Sequence, residues 1–336
     1  MSSHVWGDAA TQFFFSLSPE KILEAVESAG FQCTGRILTL NSMENRVYEV
    51  EIETEVAKTP SDRFRIVKFY RPGRWSEAQI LEEHAFLREL EANEISVIAP
   101  ILFPDGKTIS GMPESGIRFC LFPKRGGRSP DELLDDDLLQ VGRLIARIHS
   151  VGKEKAARHR LKLNPQTYGL ENLKYLCAAG HIPVDIRPRW KSTVEEICEI
   201  AEGWFEGVGI QRIHGDCHLG NLLRNTSGYF AIDFDDFVMG PPVQDLWLLV
   251  PGTFAENRAQ WEILLEGYEQ MGVFDRKTTR LIEPLRALRY VHFCAWIAKR
   301  WEDPAFPKYF PAFGTPGFWN EKLIDLMEQL ERIKGE

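Results

Sequence analysis

The chain has 336 residues, 44% of them hydrophobic, enough to bury a full core and more than one domain usually holds. A formal net charge of −9 leaves no basic excess to neutralise phosphates, which excludes a duplex-binding role and predicts no nucleic-acid partner. No apolar run approaches the ~20 residues that span a bilayer.

MSSHVWGDAATQFFFSLSPE lacks the basic start and apolar core of a signal peptide. Six cysteines without C-x-x-C spacing are expected as reduced, mostly buried thiols, so the chain reads as a soluble, cytoplasmic, largely monomeric enzyme with no membrane partner. Ser18-Pro19 opens a helix in cap-then-Pro order, and Gly30 closes it. Strand character follows in RILTL and RVYEVEIE, on either side of the polar turn Asn41–Asn45. FRIVKFY (64–70) is a further strand with Lys68 as its one interior charge. Ser76 to Leu90 reads as a helix with apolar positions at Ile80, Leu81, Phe86, Leu87 and Leu90. IRFCLFP (117–123) is another strand, ending at Pro123. KRGGRSP (124–130) is a Gly-rich linker, and beyond it 131–152, 191–207 and 255–302 are strongly helical. The prediction is an α+β, two-lobed fold: a strand-rich lobe 1–123, a hinge 124–130, and a mostly helical lobe 131–336.

The chemistry concentrates between His214 and Asp245, in HGDCHLGNLL, IDFDD and DLW. Asp216 and Asn221 are five residues apart, and Asp233 follows twelve residues later at the end of the apolar run Tyr229–Ile232. This H-x-D-x-x-x-x-N order followed by a strand-borne Asp matches the catalytic loop and metal-binding Asp of the protein-kinase superfamily. Phosphoryl transfer needs a carboxylate to take the incoming hydroxyl's proton, and a few oxygen ligands to hold Mg²⁺ on ATP. Asp216 fits the first role; Asn221 and Asp233 fit the second. His214 reads as a brace for the loop, while Cys217 and His218 receive no chemistry. Asp235 and Asp236 crowd Asp233, so a cation is needed to offset their repulsion, and bound Mg²⁺ is the natural one. Asp245 opens a helix and is read as a cap or a hydrogen-bond partner of the loop.

A lysine inside an apolar strand needs a partner for its ammonium unless it sits on an edge and reaches water. The helix after Lys68 offers Glu83, which precedes Phe86 and Leu87 by the spacing of one helical face, with Glu82 as the other choice. In a kinase such a pair holds the α/β-phosphates. The turn at 41–45 has no G-x-G-x-x-G; its backbone N–H groups and the Ser42 hydroxyl can cap phosphates, or it is an ordinary hairpin turn.

HGDxHxGN, the I-D-F-D strand and the D-L-W helix start resemble the aminoglycoside phosphotransferase and choline kinase branch of that superfamily. LNSMENRVYEV, VKFYRPGRW, QILEEHAF, GPPVQDLW, IEPLRALR and WEDPAFPK narrow the resemblance to the bacterial stress response kinases, over residues 40–308. It implies a choline-kinase-like fold and Mg-ATP-dependent phosphorylation of Ser/Thr on protein substrates. Asp216 becomes the proton acceptor, Asn221 and Asp233 the Mg²⁺ ligands, and Ser42 an ATP-site serine. Only eleven residues separate Asp233 from Asp245, with no A-P-E motif, which leaves no room for a long activation segment. That shortness also suits a small-molecule kinase of the aminoglycoside, choline or amino-alcohol type. A two-metal phosphoesterase would need further His ligands, and His149, His159 and His181 lack ligand spacing. An intact Lys68, Asp216, Asn221 and Asp233 set opposes a nucleotide-binding scaffold without activity.

Overall fold

The computed structural model describes Phe14 and residues 17–335. Most of the N-terminal stretch read above for targeting signals therefore lies outside the described residues. The chain forms two compact units, Met1–Pro130 with Gly220–Asp235, and Asp131–Leu219 with Asp236–Glu336. Residues 220–235, grouped by sequence with the helical lobe, belong to the first unit. Their short strand hairpin continues the strand-rich unit, and it is too short to show its allegiance by composition.

In unit 1, α1 (Pro19–Ser28) begins at Ser18, whose side chain accepts from the Lys21 N–H. Strands β1 (Cys33–Leu40), β2 (Arg46–Ile52) and β3 (Phe64–Phe69) form an antiparallel meander. Helix α2 (Glu77–Ala92) opens on a reciprocal capping box, Ser76 accepting from the Gln79 N–H while the Gln79 side chain accepts from the Ser76 N–H. Its buried face is Ile80, Glu83, Phe86, Leu87 and Leu90; Leu81 instead points outward. A two-residue strand β4 (Ser110–Gly111), too short to leave a periodic signal, precedes β5 (Arg118–Pro123). The sheet order β1-β2-β3-β5-β4 makes β3 central, so Lys68 cannot be an edge-strand lysine. One face of the sheet buries Val50, Val67, Phe69, Phe119 and Leu121.

Unit 2 begins with α3 (Asp135–Gly152), α4 (Glu171–Ala179), α5 (Arg187–Phe205) and β6 (Gln211–Ile213). The chain then returns to unit 1 for the hairpin β7 (Leu222–Asn225) and β8 (Gly228–Ala231), tied there by the Ala231 N–H to the Ser96 carbonyl at 3.0 Å and by Phe234 against Phe86. Back in unit 2, β9 (Val238–Gly240) pairs with β6, and α6 (Gln244–Trp247), α7 (Arg258–Glu269), α8 (Ile282–Ala298), α9 (Ala305–Tyr309) and α10 (Pro316–Gly335) complete it. The helical run read over 255–302 is thus two helices, interrupted where Gly272 and the capping Asp275 start a separate turn. Helices α3 and α7 pack backbone to backbone: a Cβ on Gly142 would strike the Leu264 carbonyl, and one on Gly267 the Leu139 carbonyl.

Candidate active site

In unit 1, the Lys68 side chain is only 7% exposed, and its Nζ lies 2.9 Å from Asp235 Oδ1 and 3.4 Å from both Glu83 Oε1 and Asp233 Oδ1. Burial alone would lower this lysine's pKa, but Asp235, Glu83 and Asp233 together hold it well above its ordinary value. Between the two glutamates left open by sequence, Glu83 turns inward with the apolar face of α2 and is 1% exposed. The next shell is also buried: the Tyr70 hydroxyl pairs with His84 Nε2 at 2.9 Å, and His84 Nδ1 with Thr108 Oγ1 at 2.7 Å.

The three neighbouring carboxylates do not share one environment. Asp235 is buried and engaged by Arg74 at 2.5 Å, the Trp75 indole N–H at 3.3 Å and Lys68. The cations that face it here are protein side chains, Lys68 and Arg74. Asp233, by contrast, keeps its side chain 53% exposed on a left-handed backbone, φ 59°. A non-glycine residue there carries strain of about 1–2 kcal/mol, of the kind found where a functional side chain must be aimed.

Asn221 and Asp233 stand at the same end of the β7–β8 hairpin, immediately before one strand and just beyond the other. The Ile232 N–H donates to the Asn221 carbonyl at 2.9 Å. One exposed carboxylate and one amide oxygen are hard donors, and they suit Mg²⁺, which keeps most of its waters. Among the described residues no trio of His, Cys, Asp or Glu is arranged to hold a metal ion.

The turn before β2 is clamped from a segment that sequence reading left without a role, Arg71 to Arg74. Arg71 donates to the carbonyls of Glu44 (2.9 Å) and Met43 (3.3 Å) and pairs with the Glu44 carboxylate at 2.9 Å. Its own N–H donates to the Asn45 side chain at 3.0 Å, and Ser42 Oγ accepts from the Asn45 N–H at 3.3 Å. Arg74 links the two regions, reaching Glu44 at 3.5 Å as well as Asp235. The turn lacks the glycines of a G-x-G-x-x-G loop, and two arginines hold it in place instead.

In unit 2, the loop of His214 to His218 is organised by Asp245. That carboxylate is fully buried, accepting from the His214 N–H at 2.7 Å, the Gly215 N–H at 2.8 Å and His149 Nε2 at 2.9 Å. His149 is oriented in turn by the Tyr268 hydroxyl at 2.9 Å, and the Gln244 amide donates to the Gly215 carbonyl at 2.9 Å. Gly215 adopts φ 85°, and a Cβ there would collide with the Asp236 carbonyl, so glycine is required between His214 and Asp216. His214 is buried, its Nδ1 accepting from the Asp216 N–H at 3.3 Å. Burial, reinforced by Asp245 and Asp216, pushes the Cys217 thiol well up, which keeps it protonated and unreactive.

Asp216 Oδ1 receives Arg289 of α8 at 2.7 Å, and Oδ2 lies 3.5 Å from His218 Nε2. Burial would raise its pKa, but the hydrogen bond and charge of His218 and the guanidinium of Arg289 hold the carboxyl well below the usual carboxylate range. Sequence reading missed Arg289, His218 and His149. Arg289 lies 73 residues beyond Asp216, and no local pattern links the two.

Comparison with known proteins identifies the class of chemistry. The family model "Phosphotransferase enzyme family" matches residues 37–282, well over half of the chain, and the chain belongs to that family. The chain is similar to stress response kinase A of Escherichia coli (strain K12), 39% identical over 323 residues that cover 96% of this chain and 95% of that one. It is also similar to serine/threonine protein kinase RdoA of Salmonella typhimurium (strain LT2), 38% identical over 94% and 93% of the two chains. Among solved structures, amicoumacin kinase hAmiN in complex with AMP-PNP, Ca²⁺ and Ami matches with a TM-score of 0.71 over 91% of this chain and 95% of that one. At 19% identity that likeness speaks to the fold alone. The chain is an ATP-dependent phosphotransferase of the kinase type.

Proposed function

We propose that this protein transfers the γ-phosphoryl group of Mg-ATP to serine or threonine hydroxyls of protein substrates in the cytoplasm, as part of a stress response. The observation that carries the reading is the buried Lys68, held by Glu83 while reaching the exposed Asp233. A fixed cation beside a carboxylate free to take a metal is what triphosphate binding requires. The names of the two kinase relatives support a protein acceptor and the stress setting.

Lys68 binds phosphate oxygens, with Glu83 fixing its direction. Ser42 and the N–H groups of the clamped turn cap the phosphates. Asn221 and Asp233 would hold Mg²⁺, which supplies charge neutralisation on the phosphates when bound. Asp216 orients the acceptor hydroxyl and takes its proton. His214 and Asp245 keep the loop in shape, and Asp235 anchors Lys68 and Arg74. No helix among the described residues is long and apolar enough to cross a membrane.

The test is incubation of the purified protein with labelled ATP and Mg²⁺, a generic protein substrate, and a panel of amino alcohols and aminoglycosides. Label is expected in protein Ser/Thr. Label confined to the small molecules would overturn the reading and favour a metabolite or antibiotic kinase.

A further inference from the structure

The proton acceptor of a kinase must have an oxygen available to the incoming hydroxyl, yet Asp216 Oδ1 is held by Arg289 at 2.7 Å. The pair is accessible, with side-chain exposures of 38% for Arg289 and 25% for Asp216, so an acceptor meets the guanidinium as it meets the carboxylate. Arg289 comes from the middle of α8, a helix otherwise anchored by its buried face, and is presented from a rigid element. The second donor, His218, adds to the same polarity at Oδ2. An ammonium group on the acceptor would meet the Arg289 guanidinium beside the base, a like charge.

Resting on the protein-kinase reading above, we propose that Arg289 sets the charge class of the acceptor. It disfavours hydroxyls carried by cationic groups and favours a Ser or Thr with an acidic neighbour. The neighbouring carboxylate offers the guanidinium a new partner and thereby frees Oδ1. The hydroxyl proton then passes to Asp216, the acceptor oxygen bonds to the γ-phosphorus, and the bond from that phosphorus to the bridging oxygen breaks. ADP departs with that electron pair.

The experiment uses the full-length protein and three peptides that differ only in the residues flanking one serine: Glu, Gln or Lys. The wild type is expected to phosphorylate the Glu peptide with kcat/KM roughly fivefold above the Lys peptide, the scale of one partly exposed charge pair. That ratio should shrink as salt rises. R289K should keep the preference, whereas R289Q should bring the three peptides to within a factor of about two of one another. A cooperative thermal melt of each variant, well above the assay temperature, separates this outcome from misfolding. A wild type indifferent to flanking charge, or an R289Q variant that keeps the wild-type ratio, would overturn the inference while leaving the protein-kinase reading intact. Turnover of amino alcohols with no peptide labelled would overturn both.

Discussion

Asp245→Ala tests the support under the catalytic loop. The carboxylate is fully buried and accepts three hydrogen bonds, from the His214 and Gly215 N–H groups and from His149 Nε2, at 2.7–2.9 Å. Hydrogen bonds to a charged group contribute about 1.5–3 kcal/mol each, and removing one partner leaves the others desolvated and unpaired. Three such bonds give a loss of roughly 4–5 kcal/mol even at the low end of that range. With no solvent at the site, screening does not reduce this. For a domain of about 200 residues, each kcal/mol lowers Tm by about 2–4 °C, so the fall should be at least about 8 °C. Differential scanning fluorimetry with and without ATP reads it. Phosphate transfer should fall with it, because His214 and Gly215 fix the backbone that carries Asp216. Asp245→Asn should be only partly corrective, since an amide supplies one acceptor oxygen but sets an N–H₂ against a donor. An Asp245→Ala variant melting within about 1 °C of the wild type would refute the reasoning, as the three donors would then have found other partners.

Asp216→Ala should lower turnover by about 10²–10⁴-fold while nucleotide affinity, read by calorimetry, stays close to wild type. Undiminished transfer would remove Asp216 from the base role. Asp233→Ala should raise the Mg²⁺ concentration needed for half-maximal activity by at least about tenfold, and an unchanged Mg²⁺ titration would show that the ion is held elsewhere. The fourth prediction concerns acid. Because His218 and Arg289 hold the Asp216 carboxyl below its unfolded value, the stability it contributes is present at neutral pH and is lost only as pH falls through that depressed pKa. Arg289→Gln should therefore move the acid-unfolding midpoint to higher pH; a midpoint that stays put or moves lower would count against the ion pair.

The parts of this architecture legible in sequence are those written in short, regular spacing. The Asp216–Asn221–Asp233 order lies within eighteen residues, and the choice of Glu83 over Glu82 follows from which side of α2 carries Phe86 and Leu87. Lys68 stood out because a charge in an apolar strand demands an explanation, and β3 being central supplies the demand in full. Partnerships set by tertiary folding were not legible. Arg289 meets Asp216 across 73 residues and His149 meets Asp245 across 96, distances at which no periodicity operates. Arg71 and Arg74 were close at hand in VKFYRPGRW but were given no role, because what they hold is a turn some thirty residues earlier. Asp235 was grouped with Asp233 on proximity alone. The backbone turn between them sends one side chain to solvent and the other to Arg74.

The return of residues 220–235 to unit 1 bears on how the protein is made. Unit 1 is otherwise complete at Pro130, and Asp235 is synthesised roughly 100 residues later. At about 5–20 residues per second, that interval lasts some 5–20 s. Throughout it the nascent sheet holds Lys68 with Glu83 but without Asp233 or Asp235, and it lacks the β7–β8 hairpin that bonds to Ser96 and packs Phe234 on Phe86. The Lys68 ammonium is thus among the last groups of its unit to gain its full set of carboxylates. A fragment ending at Pro130 should accordingly melt at lower temperature than one that appends 220–235 through a short linker, which restores the missing carboxylates.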